Sequence, residues 1–588
     1  MMSQRNKWLG IFAVMLIISV LPVPDFWIFQ LNYIGLYALT CLGLVLLTGI
    51  VGLTSFGQAA FVGIGAYTTA WFTLNLGISP WLTLLIGIAI TLISSLILGL
   101  ITLRMSGHFL PLATIAWGLA LYFLLGNLES LGKYDGLLGL QSLSIMDINL
   151  GQGRLFFVLC WFFVISSAWA LTNLLDSRAG RAIRSLKSGS QMAQAMGINT
   201  LYYKVLVFMI AALLACISGW LLAHFQRTVN PSAFGLKMGI EYLFMTVVGG
   251  SGFIWGAVVG SGVIKLLDDQ LQVILPLIIG TSGSYEVIVF GVVMVIVLKY
   301  MPDGIWVVAE KRLKAQQRPH DWQDAEHLPT RTKPQVGTEV LRVEHITKRF
   351  GGLVAVNDLS FNISAAQIVG LIGPNGAGKS TTFNLITGVL PTSSGHVFFN
   401  GQEIHQLSAK DIALKGMART FQHVKMIPEM TVLENVAMGA YSRGQAGLLP
   451  AILNLDKEEE RRIFKEAEAQ LERIGMHAFK DEIAGNLAMG PQRLMEIARA
   501  LCADPSLLLL DEPAAGLRYK EKQNLAQVLR QLKSEGMSIL LVEHDMDLVM
   551  QVCDHLVVME FGCLLTQGTP SEIQQSPEVR AAYLGADI

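Results

Sequence analysis

Nine consecutive residues carry the clearest chemistry in the chain: Gly373, Pro374, Asn375, Gly376, Ala377, Gly378, Lys379, Ser380 and Thr381. Glycine, four residues, then Gly-Lys-Ser is the spacing of a P-loop. The glycines let backbone N–H groups turn inward as a nest for phosphate oxygens, and the helix that follows adds its dipole. Lys379 is placed to reach the β- and γ-phosphates, and the Ser380 hydroxyl to ligate Mg²⁺. Further on, the apolar run from Ser506 to Leu510 ends in Asp511 and Glu512. A buried strand that ends in two carboxylates can bind Mg²⁺ through water with Asp511 and polarise an attacking water with Glu512 as general base. Gln422 closes the run from Arg419 and could reach the same metal or water. His544, just after a second apolar run, could contact the γ-phosphate. Water attack on a nucleoside triphosphate is the reaction these residue types can perform together.

Such groups act together only if separate elements bring them to one place. Gln367 to Ile372 reads as a buried strand feeding the glycine loop, and Thr382 to Gly388 as the helix leaving it. Short strand patterns precede them at Val340–Ile346 and Leu359–Ile363, with Phe350 between. Met430 to Met476 is largely helical. Most charges of its stretch from Asp456 to Arg473 read as a solvated face. Leu494 to Cys502 is a helix, and Ser538 to Val542 another strand. These patterns predict a P-loop α/β domain over residues 339–588.

The first half is of a different kind. The chain of 588 residues is 52% hydrophobic and 15% charged, and the apolar excess lies before residue 302. Apolar segments at about 8–21, 33–49, 58–76, 80–103, 108–126, 154–174, 203–224, 237–249, 256–274 and 284–300 predict an all-α polytopic membrane domain of about ten helices over residues 1–306. The first segment is read as an anchored helix, since no small-residue cleavage site follows it. With the N-terminus inside, Arg178, Arg181, Arg184 and Lys187 fall on an inner loop, as the positive-inside rule requires. Residues 52–67 are rich in small side chains at helical spacing, which allows helices to approach closely, and hold Ser55 and Gln58 at membrane depth. Glu241 is a second buried-polar candidate, and Gly249 to Gly252 read as a break between helices. Residues 307–338 read as a polar, solvated linker. The six cysteines lack disulfide or metal spacing and read as reduced. A net charge of −1 gives no reason to expect nucleic acid.

Taken together, residues 339–588 resemble the ATP-binding-cassette family. Its motifs stand in family order: Phe350, the P-loop, Gln422, Leu487-Ala488-Met489-Gly490, Asp511-Glu512, the loop near 515–518, and His544. The first half is similar to the Liv-type permeases in its stretch at 52–67, its inner loop ending Ala195-Met196-Gly197-Ile198, its glycine break and its ending at Pro302–Trp306. Residues 568–573 and 581–585 are similar to the Liv-type ATPase. The resemblance implies a fused permease and ATPase in the inner membrane of a bacterium. It implies ATP and Mg²⁺ as cofactors, and import of branched-chain or other hydrophobic amino acids. A urea or short-amide importer and an ABC exporter half-transporter are the alternatives. Phe350 would stack on adenine. Residues 487–490 are the signature that serves a partner's ATP, so a second permease and a second ATPase are needed, with an external solute-binding protein and membrane lipid. The inner loop at 187–197 would be the coupling helix. Ala488, Pro491 and Arg518 depart from the family pattern, which implies unequal ATP sites.

Overall fold

A computed structural model describes residues 4–104, 109–146, 148–151, 153–279, 286–301, 303–307, 310 and 321–584. Pro302, Gly585 and the stretch 311–320 lie outside the described residues. The chain folds as two compact units. One comprises Met1–Asp176 with Leu201–Gln316; the other comprises Ser177–Thr200 with Gln317–Ile588.

In the first unit, helices cover every apolar segment: Gln4–Val20, Asp25–Leu44, Gln58–Leu76, Pro80–Thr102, Phe109–Asn127, Gly153–Leu175, Thr200–Gln226, Leu236–Gly249, Ile254–Ile279 and Glu286–Tyr300. Ten membrane spans do not follow from them. Among the described residues five helices are long and apolar enough to cross a membrane, or six if one bent pair counts as a span. The difference has local causes. Gln4–Val20 is only 17 residues long. Gln58–Leu76 is diluted by glycine, threonine and asparagine. Leu236–Gly249 meets the next helix at 117°, across the predicted glycine break.

The outer helices bury their small and polar side chains and expose their large apolar ones. On Pro80–Thr102 the buried face is Gly87, Thr91, Ser95, Gly99 and Thr102, whereas Leu85, Ile93, Ile97 and Ile101 are exposed. This is the arrangement of a helix that faces lipid on one side and packs through small residues on the other. The small-residue stretch at 52–67 behaves likewise. A Cβ on Gly65 would lie 2.2 Å from the Cys216 carbonyl oxygen, so only glycine permits that crossing. Ser55 and Gln58 are buried, and neither polar atom of the Gln58 amide has a partner. Glu241 is not isolated: Lys237, one turn earlier, lies 3.8 Å from it.

The second unit is built on two sheets. Strands β1 (Glu339–Phe350), β2 (Leu353–Ser364), β4 (Ser394–Phe399) and β5 (Gln402–Glu403) form a four-stranded antiparallel sheet in the order β2-β1-β4-β5. Strands β3 (Ile368–Ile372), β6 (Met417–Arg419), β7 (Leu507–Asp511), β8 (Ser538–Val542), β9 (His555–Glu560) and β10 (Cys563–Gly568) form a six-stranded sheet in the order β6-β7-β8-β3-β9-β10. All its pairings are parallel except the last. The interiors of the central strands are apolar because both faces are covered. Leu508, Leu510, Ile539 and Leu541 enter one core; Leu507, Leu509, Leu540 and Val542 enter the other.

Part of the stretch read as a solvated linker is packed instead. Trp322, Ala325 and Leu328 are buried in the core beside helix Lys457–Arg473. The Trp322 indole stacks on Phe464 at 5.2 Å and donates to Glu468 at 2.5 Å. Apolar residues three apart on one side of a polar segment are enough to seat it.

Candidate functional site: the carboxyl edge of the parallel sheet

Four separate motifs leave the carboxyl ends of neighbouring strands. β3 runs into Gly373, β7 ends at Asp511, β8 runs into Glu543 and His544, and β6 runs into Thr420 and Gln422. The register fixes their relative height: Asp511 pairs with Val542, and Val542 with Leu371. The edge where strand order reverses is where open α/β sheets hold ligands.

The glycine loop has the shape the spacing predicts. Gly378 has φ +95°, and a Cβ there would lie 2.4 Å from the Ala355 carbonyl oxygen. Helix Lys379–Ile386 starts at once, with its N-terminus at the loop. The buried Lys379 ammonium donates to the carbonyls of Gly373 (2.7 Å) and Pro374 (2.9 Å). Burial lowers its pKa, partly offset by Glu512. The Ser380 side chain is exposed beside it. Phe350 ends β1 with its ring exposed and Lys348 5.2 Å above it.

Asp511 is buried, and its Oδ1 has no hydrogen-bond partner. Burial raises its pKa to about 6; Arg419, 4.0 Å away, pulls the other way. A buried carboxylate with an unused acceptor fits a hard cation, and a hydroxyl at the loop supplies the same oxygen chemistry. Glu512 sits just past the strand end with φ +47°, a conformation rarely adopted outside glycine and characteristic of functional positions. Its Oε2 accepts from the Gln422 amide at 3.1 Å, and His544 Nδ1 lies 3.9 Å from it. The structure therefore brings Gln422, Asp511, Glu512 and His544 together.

The segment Leu487, Ala488, Met489 and Gly490 stands apart. It opens helix Met489–Cys502, Met489 is exposed, and the Gly490 position abuts Glu521. Among the described residues no hydrogen bond joins it to residues 373–381.

Three residues given no role on sequence grounds hold the site in shape. Arg419 lies between the rings of Phe383 and Phe421, at 4.7 and 4.8 Å, and donates to Thr387 and Asn384. Arg493 donates to the carbonyls of Phe421 and Gln422, so helix Met489–Cys502 holds the backbone at Gln422. The fully buried Glu543 accepts from the backbone N–H groups of Ala514, His544 and Asp545. It thereby ties the 513–518 loop to the His544 loop. An acidic residue directly after an all-apolar strand was the available signal.

The inner loop belongs to this unit as well. Helix Arg178–Ser185 is capped by Ser177. The buried Arg181 makes a two-pronged pair with Glu460, at 2.6 and 3.1 Å, over the Phe464 ring. Arg178 donates to the carbonyls of Tyr441, Gly444 and Ala446 and lies 3.4 Å from Glu459. The charges of helix Lys457–Arg473 are therefore not all solvated: Glu459 and Glu460 face arginines, which a charge pattern alone cannot reveal. Met192 and Ala195, on helix Ser190–Ala195, pack with Phe421, Ile427, Met430 and Met438.

Comparisons with known proteins agree with this architecture. Residues 27–298 match the family model of the branched-chain amino acid transport system permease component. Residues 356–515 match that of ABC transporters, and residues 563–588 that of the branched-chain amino acid ATP-binding cassette transporter. The high-affinity branched-chain amino acid transport ATP-binding protein BraF of Pseudomonas aeruginosa is 42% identical over 249 residues, covering 98% of that protein and 42% of this chain. LivG of Escherichia coli is 41% identical over the same length and shares. A nucleotide-free ATP-binding cassette from an ABC transporter aligns at 32% identity and TM-score 0.38, covering 42% of this chain and all of that one. With a permease segment before the cassette and a P-loop site at the sheet edge, this chain belongs to the ABC transporters of the branched-chain amino acid type, as a permease fused to its ATP-hydrolysing subunit.

Proposed function

We propose that the chain is half of an ATP-driven importer of branched-chain or other hydrophobic amino acids in a bacterial inner membrane. Its cassette works on the cytoplasmic side. The hydrolysis in this reading is carried by the meeting of Gln422 with Glu512 on the sheet edge that holds the P-loop, and the solute class is supported by the permease match over residues 27–298.

In this reading the loop 373–381 cradles the phosphates of ATP, and Phe350 stacks on the adenine. Lys379 leaves its two loop carbonyls for the β- and γ-phosphates, which offer stronger, charge-assisted bonds. Ser380, Gln422 and Asp511 would hold Mg²⁺, which would neutralise charge on the transferred phosphoryl group. Glu512 takes the proton of the attacking water, Gln422 orients that water, and His544 donates to the γ-phosphate. Leu487, Ala488, Met489 and Gly490 complete the ATP site of a second cassette. A second permease and an external solute-binding protein complete the transporter. Ala488 offers no hydroxyl to the partner's nucleotide, so in a heteromeric complex, where the second cassette is a different chain, the two sites turn over unequally. The loop 177–200 transmits closure of the cassettes to the permease.

The test is ATP-dependent uptake in proteoliposomes holding the full complex and its binding protein, with leucine and urea compared and Lys379→Ala as control. Leucine uptake that the variant abolishes is expected. Uptake of urea but not leucine overturns the solute assignment. Efflux overturns the direction, and near-normal turnover by the Lys379→Ala complex overturns the assignment of hydrolysis to this P-loop.

A further inference from the structure

We propose that His396, Glu403 and His405 form a binding site for a divalent transition metal of the zinc class, on the antiparallel sheet and apart from the nucleotide edge. Their ligand atoms all lie within 4.8 Å of one another.

The hairpin register brings them together. Phe398 pairs with Glu403 and Phe399 with Gln402. The Ile404 N–H donates to the Val397 carbonyl, so the ladder continues and sets His396 opposite His405. Directly opposed residues share a face, as do residues two apart on one strand. Both imidazoles and the carboxylate therefore project from one side of the hairpin.

Glu403 Oε1 lies 2.5 Å from His396 Nδ1 and 3.3 Å from His405 Nδ1, and the two rings meet edge to face at 5.0 Å. One histidine would satisfy that oxygen. The second is the telling one: His405 Nδ1 is buried and has no hydrogen-bond partner, although it faces the same carboxylate. Two imidazole nitrogens and one carboxylate oxygen are a recurring three-residue ligand set for zinc, with water in the fourth position. Zinc bonds of about 2.0–2.1 Å put tetrahedral ligands roughly 3.3 Å apart. The His405–Glu403 separation already matches. Glu403 and the half-exposed His396 would part by about 1 Å on binding, and the two imidazole nitrogens, which lie within 4.8 Å of each other, would settle at the same spacing.

The surrounding charges do not oppose a cation. Glu344 on β1 pairs with His396 across the sheet and adds negative charge to the same face. The neighbouring Arg342 lies over the Phe398 ring at 4.6 Å and is matched by Glu339 and Glu344, at 3.4 and 3.3 Å.

The experiment uses the full chain, purified in detergent without a histidine tag, stripped with chelator and kept free of nucleotide. Zn²⁺ is titrated against a chromophoric chelator, and Co²⁺ is added separately to read its visible absorption. Wild type is expected to take up one Zn²⁺ per chain and to give Co²⁺ bands of imidazole coordination. His396→Ala/His405→Ala should lose both, and Glu403→Gln should bind at least about tenfold more weakly. Unchanged thermal unfolding in the absence of metal shows that the variants are folded. Zinc uptake by the double variant equal to wild type overturns the proposal, as does a wild type that competes for no zinc.

Discussion

Replacing Asp511 by Asn should make the nucleotide-free cassette more stable while removing its ability to use MgATP. Burial raises the folded-state pKa of Asp511 from 3.8 to about 6, after the attraction of Arg419 has acted. The folded state thus binds the proton more tightly than the unfolded state. Between pH 3.8 and about 6 stability falls as pH rises, because the unfolded chain gives up this proton first. Above pH 6 the loss is complete. A shift of about two units corresponds to roughly 3 kcal/mol as an upper figure. Asn keeps the size of the side chain and carries no charge, so it removes that cost at pH 7.5. For a domain of this size 1 kcal/mol moves Tm by about 2–4 °C, so the gain should be at most about 6–12 °C.

The assay is thermal unfolding of the full chain in detergent without nucleotide, at pH 7.5 and at pH 5, alongside MgATP hydrolysis by the assembled complex. At pH 5 the wild-type carboxyl is largely protonated, and the difference between the two proteins should shrink. Mg²⁺ with ATP should stabilise wild type and not the variant. A variant no more stable at pH 7.5 refutes the reasoning, as does a gain of equal size at pH 5. Either result would mean that the carboxylate is solvated or paired in a way its unused Oδ1 does not indicate.

Four further outcomes follow from the same geometry. Arg181→Ala leaves Glu460 beside Phe464 without its two-pronged partner, a loss of about 3 kcal/mol; solute uptake should fall well below hydrolysis, and a fully coupled variant would count against the loop's role. A double-mutant cycle with Glu460→Ala should return an interaction of more than about 1 kcal/mol in unfolding of the cassette. Gly378→Ala forces a Cβ against the Ala355 carbonyl in a left-handed backbone; ATP binding, read by a fluorescent analogue, should fall at least tenfold. Glu543→Gln removes the charge that gathers three backbone N–H groups and should cost about 2 kcal/mol, seen as a lower Tm with faster proteolysis at 513–518.

The P-loop and the Asp511-Glu512 pair were legible because each is written in adjacent residues with a local meaning. A glycine with positive φ or a carboxylate at a strand end needs no distant partner to be recognised. Arg419, Arg493 and Glu543 were not legible, because each acts on groups tens of residues away in the chain. The membrane half shows the same division. Apolar runs located the helices, but the lengths of the short ones and the bend at Gly250 depend on packing. Trp322, Ala325 and Leu328 mark an intermediate case. Their spacing was visible within a polar segment, yet only the groove beside Phe464 gives it a purpose.

Phe421 shows why the inner loop and the chemistry cannot move independently. Its ring packs with Met192 and Ala195 on one side and meets the Arg419 guanidinium on another. Its carbonyl is held by Arg493, whose second bond goes to the carbonyl of Gln422. The side chain of Gln422 then donates to Glu512. A displacement of helix Ser190–Ala195 must either carry Phe421 along or open a gap against it, since close-packed apolar contacts do not stretch. In the first case the amide on Glu512 moves; in the second the packing free energy of a phenyl ring is lost, a few kcal/mol. Phe421 is therefore one link between the nucleotide edge and the loop, beside Ser188 on the Met426 carbonyl and Arg499 on Met192, and the coupling is reciprocal.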